Sequence, residues 1–336
     1  KHLIALPVAV LVAATVTAQA QSVPVTVDNF KRAETDMYFA QFSKHGAFGK
    51  FFHRRELPLE DTGVRPNRDT LYSEAVFDLD AGPGTITLPE AGQRFVSLLV
   101  IDEDHYALDV FYDTSAHTYS KEKVGTRYLF AAVRTLVDPN RAADVEEAHR
   151  LQDSIKVEQP GGPGKLELPN WDKESQDKVR SALLVLNEGL ADLKGAGGRR
   201  DAVDPIRHLI GTASAWGLNP DKDAIYLNVT PARNDGKVVY RLNAPGNVPV
   251  DGFWSITVYD ATGHFQKNDF DAYSLNNITA KKGSDGSVLV QFGGCDGKIP
   301  NCLPVMDGWN YMVRLYRPRA EVLDGTWKFP DARSAN

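Results

Sequence analysis

The sequence predicts a mainly β protein of the α+β class, with two antiparallel β-sandwich-like units and a helical segment between or around them. Three observations predict it. Short alternating runs crowd residues 21–138, amphipathic patterns broken by Gly and Pro occupy 139–220, and alternating runs return over 221–336. Such an order of strands, helices and strands suits two sheet-bearing units, each large enough to bury a core within a 336-residue chain.

Taken in order, residues 1–20 read as a secretory signal peptide. Lys1 precedes the apolar run "LIALPVAVLVAATV", and Ala18-Gln19-Ala20 fits a small-x-small cleavage site. The expectation is a periplasmic or secreted protein with no membrane span after signal removal. Phe30, Met37, Phe39, Phe42 and Phe48 then mark a helix ending near Gly46 or Gly49.

The first β-rich block comprises "TLYSEAVFDL", "GTITLP", "RFVSLLVID", "ALDVFYD", "HTYSKE" and "TRYLFAAVRTLV". In its opening strand Leu71, Ser73, Ala75 and Phe77 share one face, while Tyr72, Glu74, Val76 and Asp78 share the other. Helices are expected in "DPNRAADVEEAHRLQDSI", in "KESQDKVRSALLVLNEGLADL" with a Val179, Leu183, Leu186, Leu190 stripe, and in "DAVDPIRHLIGTASAWG". The second block runs from "AIYLNVT" and "KVVYRLNA" through "GFWSITVYD", "DAYSLNN" and "SVLVQFGG" to "GWNYMVRLYRP", with Asn234–Gly236 expected as a hairpin turn.

Composition excludes several functions. A net charge of −6 and a pI near 5.8 argue against nucleic-acid binding. No Walker loop, dinucleotide fingerprint or His-Glu-x-x-His motif occurs, so no nucleotide cofactor is expected. A hydrolase here would work without a Gly-x-Ser-x-Gly nucleophile elbow. The two cysteines, Cys295 and Cys302, lie in "GGCDGKIPNCLP", and in an exported chain they read as a disulfide.

The stretch Arg65-Pro66-Asn67-Arg68-Asp69 admits two readings. Pro66 fixes a turn in which Asn67 and Asp69 bond backbone amides; alternatively Arg68, Asp69 and Tyr72 line a polar pocket where a guanidinium receives a carboxylate or phosphate. Asp104 and His105, after an apolar strand, are candidates for acid–base chemistry, or for a divalent-metal site with His105 as ligand. Asp204 and His208 sit at i, i+4, though a helix-start aspartate and a packed histidine explain them as well.

In the second block Trp254, Ile256 and Val258 share one face, and Phe253, Ser255, Thr257 and Tyr259 the other. Trp254, Tyr259 and Asn276 are candidate ligand contacts, and Arg314, between Met312 and Tyr316 on its strand face, is a second candidate anion contact.

The ordered motifs "RPNRDTLYS", "GTRY", "PNWD", "WGLNP", "FWSITVYD", "AYSLNN", "DGS" and "NCLP…GWNYMVRLYRP…LDGTW" resemble proteins that pair a domain of unknown function 1254 with a domain of unknown function 1214. The resemblance implies an N-terminal 1254-type module containing Arg65–Tyr72 and a C-terminal 1214-type module containing Trp254–Trp327. It also implies two facing, mainly β units; some members carry a hydrolase or esterase label. Cys302 stands where many such proteins have tryptophan, so a ligand role for that tryptophan does not carry over.

Two functional expectations follow. One is an exported hydrolase acting on a small anion, with Arg68 and Arg314 holding it and Asp104 with His105 supplying proton transfer. The other is a non-catalytic module that binds a small molecule or a sister subunit in a homo-oligomer.

Overall fold

The computed structural model describes residues 22–57, 59 and 65–335. The expected signal segment, residues 1–20, lies outside the described residues. The chain runs α1 (Phe30–Lys44), β1 (Phe52–His53), β2 (Thr70–Asp78), β3 (Gly84–Thr87), β4 (Val96–Asp102), β5 (Ala107–Phe111), β6 (Ala116–Tyr119), α2 (Lys121–Val124) and β7 (Tyr128–Leu136). It continues through α3 (Ala142–Asp153), β8 (Lys156–Glu158), α4 (Lys173–Glu188), α5 (Pro205–Ser214), β9 (Ala224–Val229), β10 (Tyr240–Ala244) and β11 (Trp254–Tyr259). The last elements are β12 (Ser274–Asn276), β13 (Val288–Phe292), β14 (Cys302–Leu303), β15 (Asn310–Tyr316), α6 (Ala320–Leu323) and β16 (Arg333–Ser334).

The N-terminal sheet has the order β1-β2-β7-β4-β5 and is antiparallel throughout. Its long strands are apolar on both faces because both faces are covered. Ala75, Phe77, Leu98, Leu129 and Val133 pack against Ile86 and Tyr119 of a second sheet, β6-β3-β8, forming a sandwich. Val76, Leu99, Ile101, Phe130 and Ala132 pack instead under Phe39 and Phe42 of α1 and under Trp216. Each such Val, Leu, Ile or Phe side chain removed from water contributes roughly 1.5–3 kcal/mol.

Helices α1, α4 and α5 pack together through Phe30, Ala33, Leu183 and Ile210. Asp204 starts α5 by accepting from the Ile206 and Arg207 amides, with Pro205 in the first turn, as the Asp-Pro pair predicts. The expected stripe on α4 is only partly inward. Leu183 is buried, whereas Leu186 is 57% exposed.

The C-terminal module is a sandwich of two four-stranded sheets, β12-β11-β15-β9 and β14-β13-β10-β16. Trp254, Ile256, Val258, Tyr311, Val313 and Leu315 point between them, meeting Leu242, Val290 and Phe292. Asn234–Gly236 does turn, with Gly236 at φ +71°, but it is not a hairpin. β9 pairs with β15 and β10 with β13, so this turn carries the chain from one sheet to the other.

Cys295 and Cys302 form a disulfide with Cα atoms 5.7 Å apart. It closes the loop that brings β14 alongside β13 as a parallel pair. Among the described residues, no helix is long and apolar enough to cross a membrane.

Candidate functional site

Strand alternation that buries one face of β12-β11-β15-β9 turns the other toward the N-terminal module. Pairing places Asn276 beside Ser255, Ser255 beside Arg314 and Arg314 beside Tyr226, a polar row across four strands. In the N-terminal sheet Tyr72 pairs with Arg134. The Arg65–Asp69 turn lies where the two modules meet.

Its side chains join both. Asn67 Nδ2 donates to the hydroxyl of Tyr72 at 3.2 Å and of Tyr316 at 3.3 Å, while its Oδ1 accepts the Asp69 amide at 2.8 Å. Tyr259 donates its hydroxyl to the Pro66 carbonyl at 2.7 Å. Arg314, only 2% exposed, donates to Thr257 Oγ1 at 2.9 Å, Tyr259 Oη at 2.7 Å and the Arg65 carbonyl at 3.0 Å. Asp69 is fully buried and accepts from Asn276 Nδ2 at 3.1 Å.

Burial raises the Asp69 carboxyl above its ordinary range, against the opposing pull of Arg314 and the nearby Ser255 hydroxyl. No hydrogen bond of normal geometry reaches Asp69 Oδ2 or Ser255 Oγ.

Arg134 is the unusual charge. It is 7% exposed, yet its partners are all neutral: Tyr72 Oη at 3.4 Å, Asn219 Oδ1 at 3.5 Å and the Gly217 carbonyl at 3.4 Å. Burial works against its charge, but the surrounding oxygens of Tyr72, Tyr226 and Tyr316 outweigh that and raise its pKa. The phenols respond differently. Burial alone would make Tyr72 less acidic, but Arg134 and Asn67 reverse the effect and lower its pKa. Tyr316, buried beside Tyr226 and Tyr72, is pushed well above its ordinary value. Tyr226, whose hydroxyl accepts from Asn219 Nδ2 at 2.9 Å, is also raised, chiefly by burial.

The structure therefore brings together Asp69, Tyr72, Tyr259, Asn276 and Arg314. Asn276 also caps its own turn, its Oδ1 accepting the Ile278 and Thr279 amides. Arg68 belongs to the same turn, but its guanidinium bonds the Leu57 carbonyl and lies 5.1 Å from the Tyr273 ring centre. Trp254 is corrected: strand alternation points it into the sandwich core beside Phe329, away from the polar face.

Asp104 and His105 do not form a proton-transfer pair. The Asp104 carboxylate is held by Arg32 at 2.9 Å and Arg200 at 2.8 Å. His105 is buried, with Nε2 accepting the Gly217 amide at 2.8 Å and Nδ1 at 2.9 Å from Thr212 Oγ1. Because Thr212 donates its own proton to the His208 carbonyl, His105 must be the neutral Nδ1–H tautomer. Burial, with His208 and Lys31 nearby, lowers its pKa well below the ordinary value. His208 is likewise buried, with Nδ1 at 2.9 Å from the Ala196 carbonyl, and Asp204 is the α5 cap. Among the described residues, no group of His, Cys, Asp and Glu is arranged to hold a metal ion.

Sequence reasoning missed Arg134, Asn219 and Tyr226 as site residues. The signal for Arg134 was present: one arginine inside the otherwise apolar run "YLFAAVRTL". "WGLNP" supplies both Gly217 and Asn219. A cleft of about 490 Å³ lined by Thr87, Glu90, Glu147, Arg150 and Lys156 touches none of these residues, and its Glu147 and Arg150 pair with each other.

Comparison with known proteins locates the two modules. Residues 48–115 match the family described as protein of unknown function (DUF1254), and residues 225–320 match protein of unknown function (DUF1214). The VPA0106 protein of Vibrio parahaemolyticus has a similar crystal structure, with a TM-score of 0.71 at 16% identity over 92% of this chain and 98% of that one. That likeness shows the fold. An uncharacterised protein from Burkholderia cenocepacia aligns with a TM-score of 0.49 at 11% identity over 92% of this chain and 88% of its own. No curated protein matches the chain. The chain pairs an N-terminal DUF1254 domain with a C-terminal DUF1214 domain.

Proposed function

We propose that the two modules enclose a polar chamber that binds a small anionic molecule, with Arg134 as the anchor. The observation that carries this reading is a buried guanidinium with only neutral, distant partners. A buried charge without a counter-ion is costly, and a bound anion supplies the missing partner. Arg314 differs, since Asp69 stands near enough to offset it.

Binding without hydrolysis is the reading favoured. The serine of the chamber, Ser255, is fully buried, and the imidazole of His105 is engaged at both nitrogens outside the chamber. Export to the periplasm or medium is part of the proposal, and the disulfide supports it, because such bonds persist in oxidising compartments.

The test is thermal melting in increasing acetate or phosphate, on wild type and on Arg134→Met. Wild type gains stability as RT ln(1 + [L]/Kd), about 2.7 kcal/mol at a hundredfold excess over Kd. Arg134→Met removes the anchor, so its melting point should not respond to anion. Equal responses from both proteins, or none from either, contradict the reading.

A further inference from the structure

The hydrogen-bond inventory of the chamber is one-sided. A phenol donates one O–H and accepts through its lone pairs. Tyr72 accepts from Asn67 and Arg134, Tyr316 accepts from Asn67, and Tyr226 accepts from Asn219. The amide orientations are fixed from behind. Asn67 Oδ1 takes the Asp69 amide and Asn219 Oδ1 faces Arg134, so each Nδ2 must point at a phenol.

Consequently none of the three phenolic O–H groups donates to an acceptor among the described residues. Arg134 adds to them. A guanidinium carries five N–H bonds, and three reach acceptors here, at 3.4, 3.5 and 3.4 Å. All three phenols lie close enough to Arg134 to favour its charged form. Donors without acceptors therefore converge from β2, β7, β9 and β15, two strands from each module.

From this we infer that the chamber recognises an oxyanion, a carboxylate or a phosphate or sulfate group, received by Arg134 together with the hydroxyls of Tyr72, Tyr226 and Tyr316. The inference rests on the anion-binding reading above and narrows it. An oxyanion offers several lone-pair sites in fixed directions, which donors arriving from two sheets can share. A spherical halide satisfies the charge but not the directions, and an amine meets the wrong sign and no acceptor-only group.

The experiment is calorimetric titration of the full chain with acetate, benzoate, phosphate and sulfate, with bromide as the charge-only probe. It is repeated on Tyr226→Phe and Tyr316→Phe, each checked for an unchanged melting profile in low-salt buffer. The expected result is binding of an oxyanion but not bromide, weakened about tenfold or more by each loss of a hydroxyl. Benzoate or acetate alone identifies a carboxylate site, and phosphate or sulfate alone a tetrahedral one; both outcomes support the inference. Oxyanion binding unchanged in both variants, or bromide binding as tightly, overturns the inference while leaving anion binding at Arg134 standing. No binding of any anion to wild type overturns both. The comparison of bromide with oxyanions on wild type needs no variant to fold.

Discussion

At the scale of single residues, two buried ionisable groups sit in environments that act in opposite ways: the phenols around Arg134 favour its charge, whereas burial disfavours the charge of Asp36. Asp36, on α1 and 1% exposed, receives the Trp171 indole N–H at 2.8 Å on Oδ2, while Oδ1 has no partner. Burial pushes its pKa up to about 7; the Trp171 bond opposes this, Glu103 adds to it, Arg32 opposes it and Asp104 adds to it. The folded protein thus holds a proton that the unfolded chain, with an ordinary value of 3.8, releases first. The stabilising proton is fully present below pH 4 and is lost as pH rises through 7, a difference on the order of 4 kcal/mol. Asp36→Asn keeps the acceptor for Trp171 and removes this dependence. Denaturant melts should therefore show the variant close to wild type at pH 4 and clearly more stable at pH 8; equal stability at both would refute the assignment. Neither charge was read as a site from sequence. A lone arginine in an apolar strand is a visible anomaly, but what surrounds it depends on residues some sixty to nearly two hundred positions away.

Among the elements, period-two alternation was the most readable signal, and it divided β11 correctly. Ser255, Thr257 and Tyr259 face the polar cluster around Arg314 while Trp254, Ile256 and Val258 fill the sandwich. The error with Trp254 was to give it a ligand role against its own periodicity. Trp254→Ala should cost about 3–5 kcal/mol of stability as a core truncation and leave the anion response intact; an unchanged melting point would contradict its placement. The disulfide was readable because the expected export, the loop length and an even cysteine count agree. Replacing both cysteines with serine should cost about 2.5 kcal/mol by loop-closure entropy, measured by denaturant unfolding. What alternation did not supply was pairing order. The Asn234–Gly236 turn carries a strong hairpin signature, yet its flanking strands belong to different sheets, and only long-range pairing decides that.

For the whole molecule, the Arg65–Asp69 turn is where the two modules are joined. Asn67 shapes it by binding the Asp69 amide, and the same side chain touches Tyr72 of one module and Tyr316 of the other. The polar clusters of the two modules therefore meet, which no local pattern states. With Asn276 bonded to Asp69 and Tyr259 to Pro66 across the boundary, the modules share buried polar contacts that neither satisfies alone. Thermal unfolding should accordingly be one cooperative transition, with tryptophan fluorescence and far-ultraviolet dichroism superimposing; two separated transitions would contradict this coupling.

The central claim is that an oxyanion sits against Arg134 between the modules. The most direct measurement is a crystal of the protein soaked in selenate, and a second soaked in 4-bromobenzoate, with the heavy atom located by anomalous scattering. The account predicts a selenium peak about 4 Å from the Arg134 guanidinium, or a bromine peak whose carboxylate lies at hydrogen-bond distance from it and from the phenols. Peaks confined to surface cations, with the chamber holding only solvent, would contradict it.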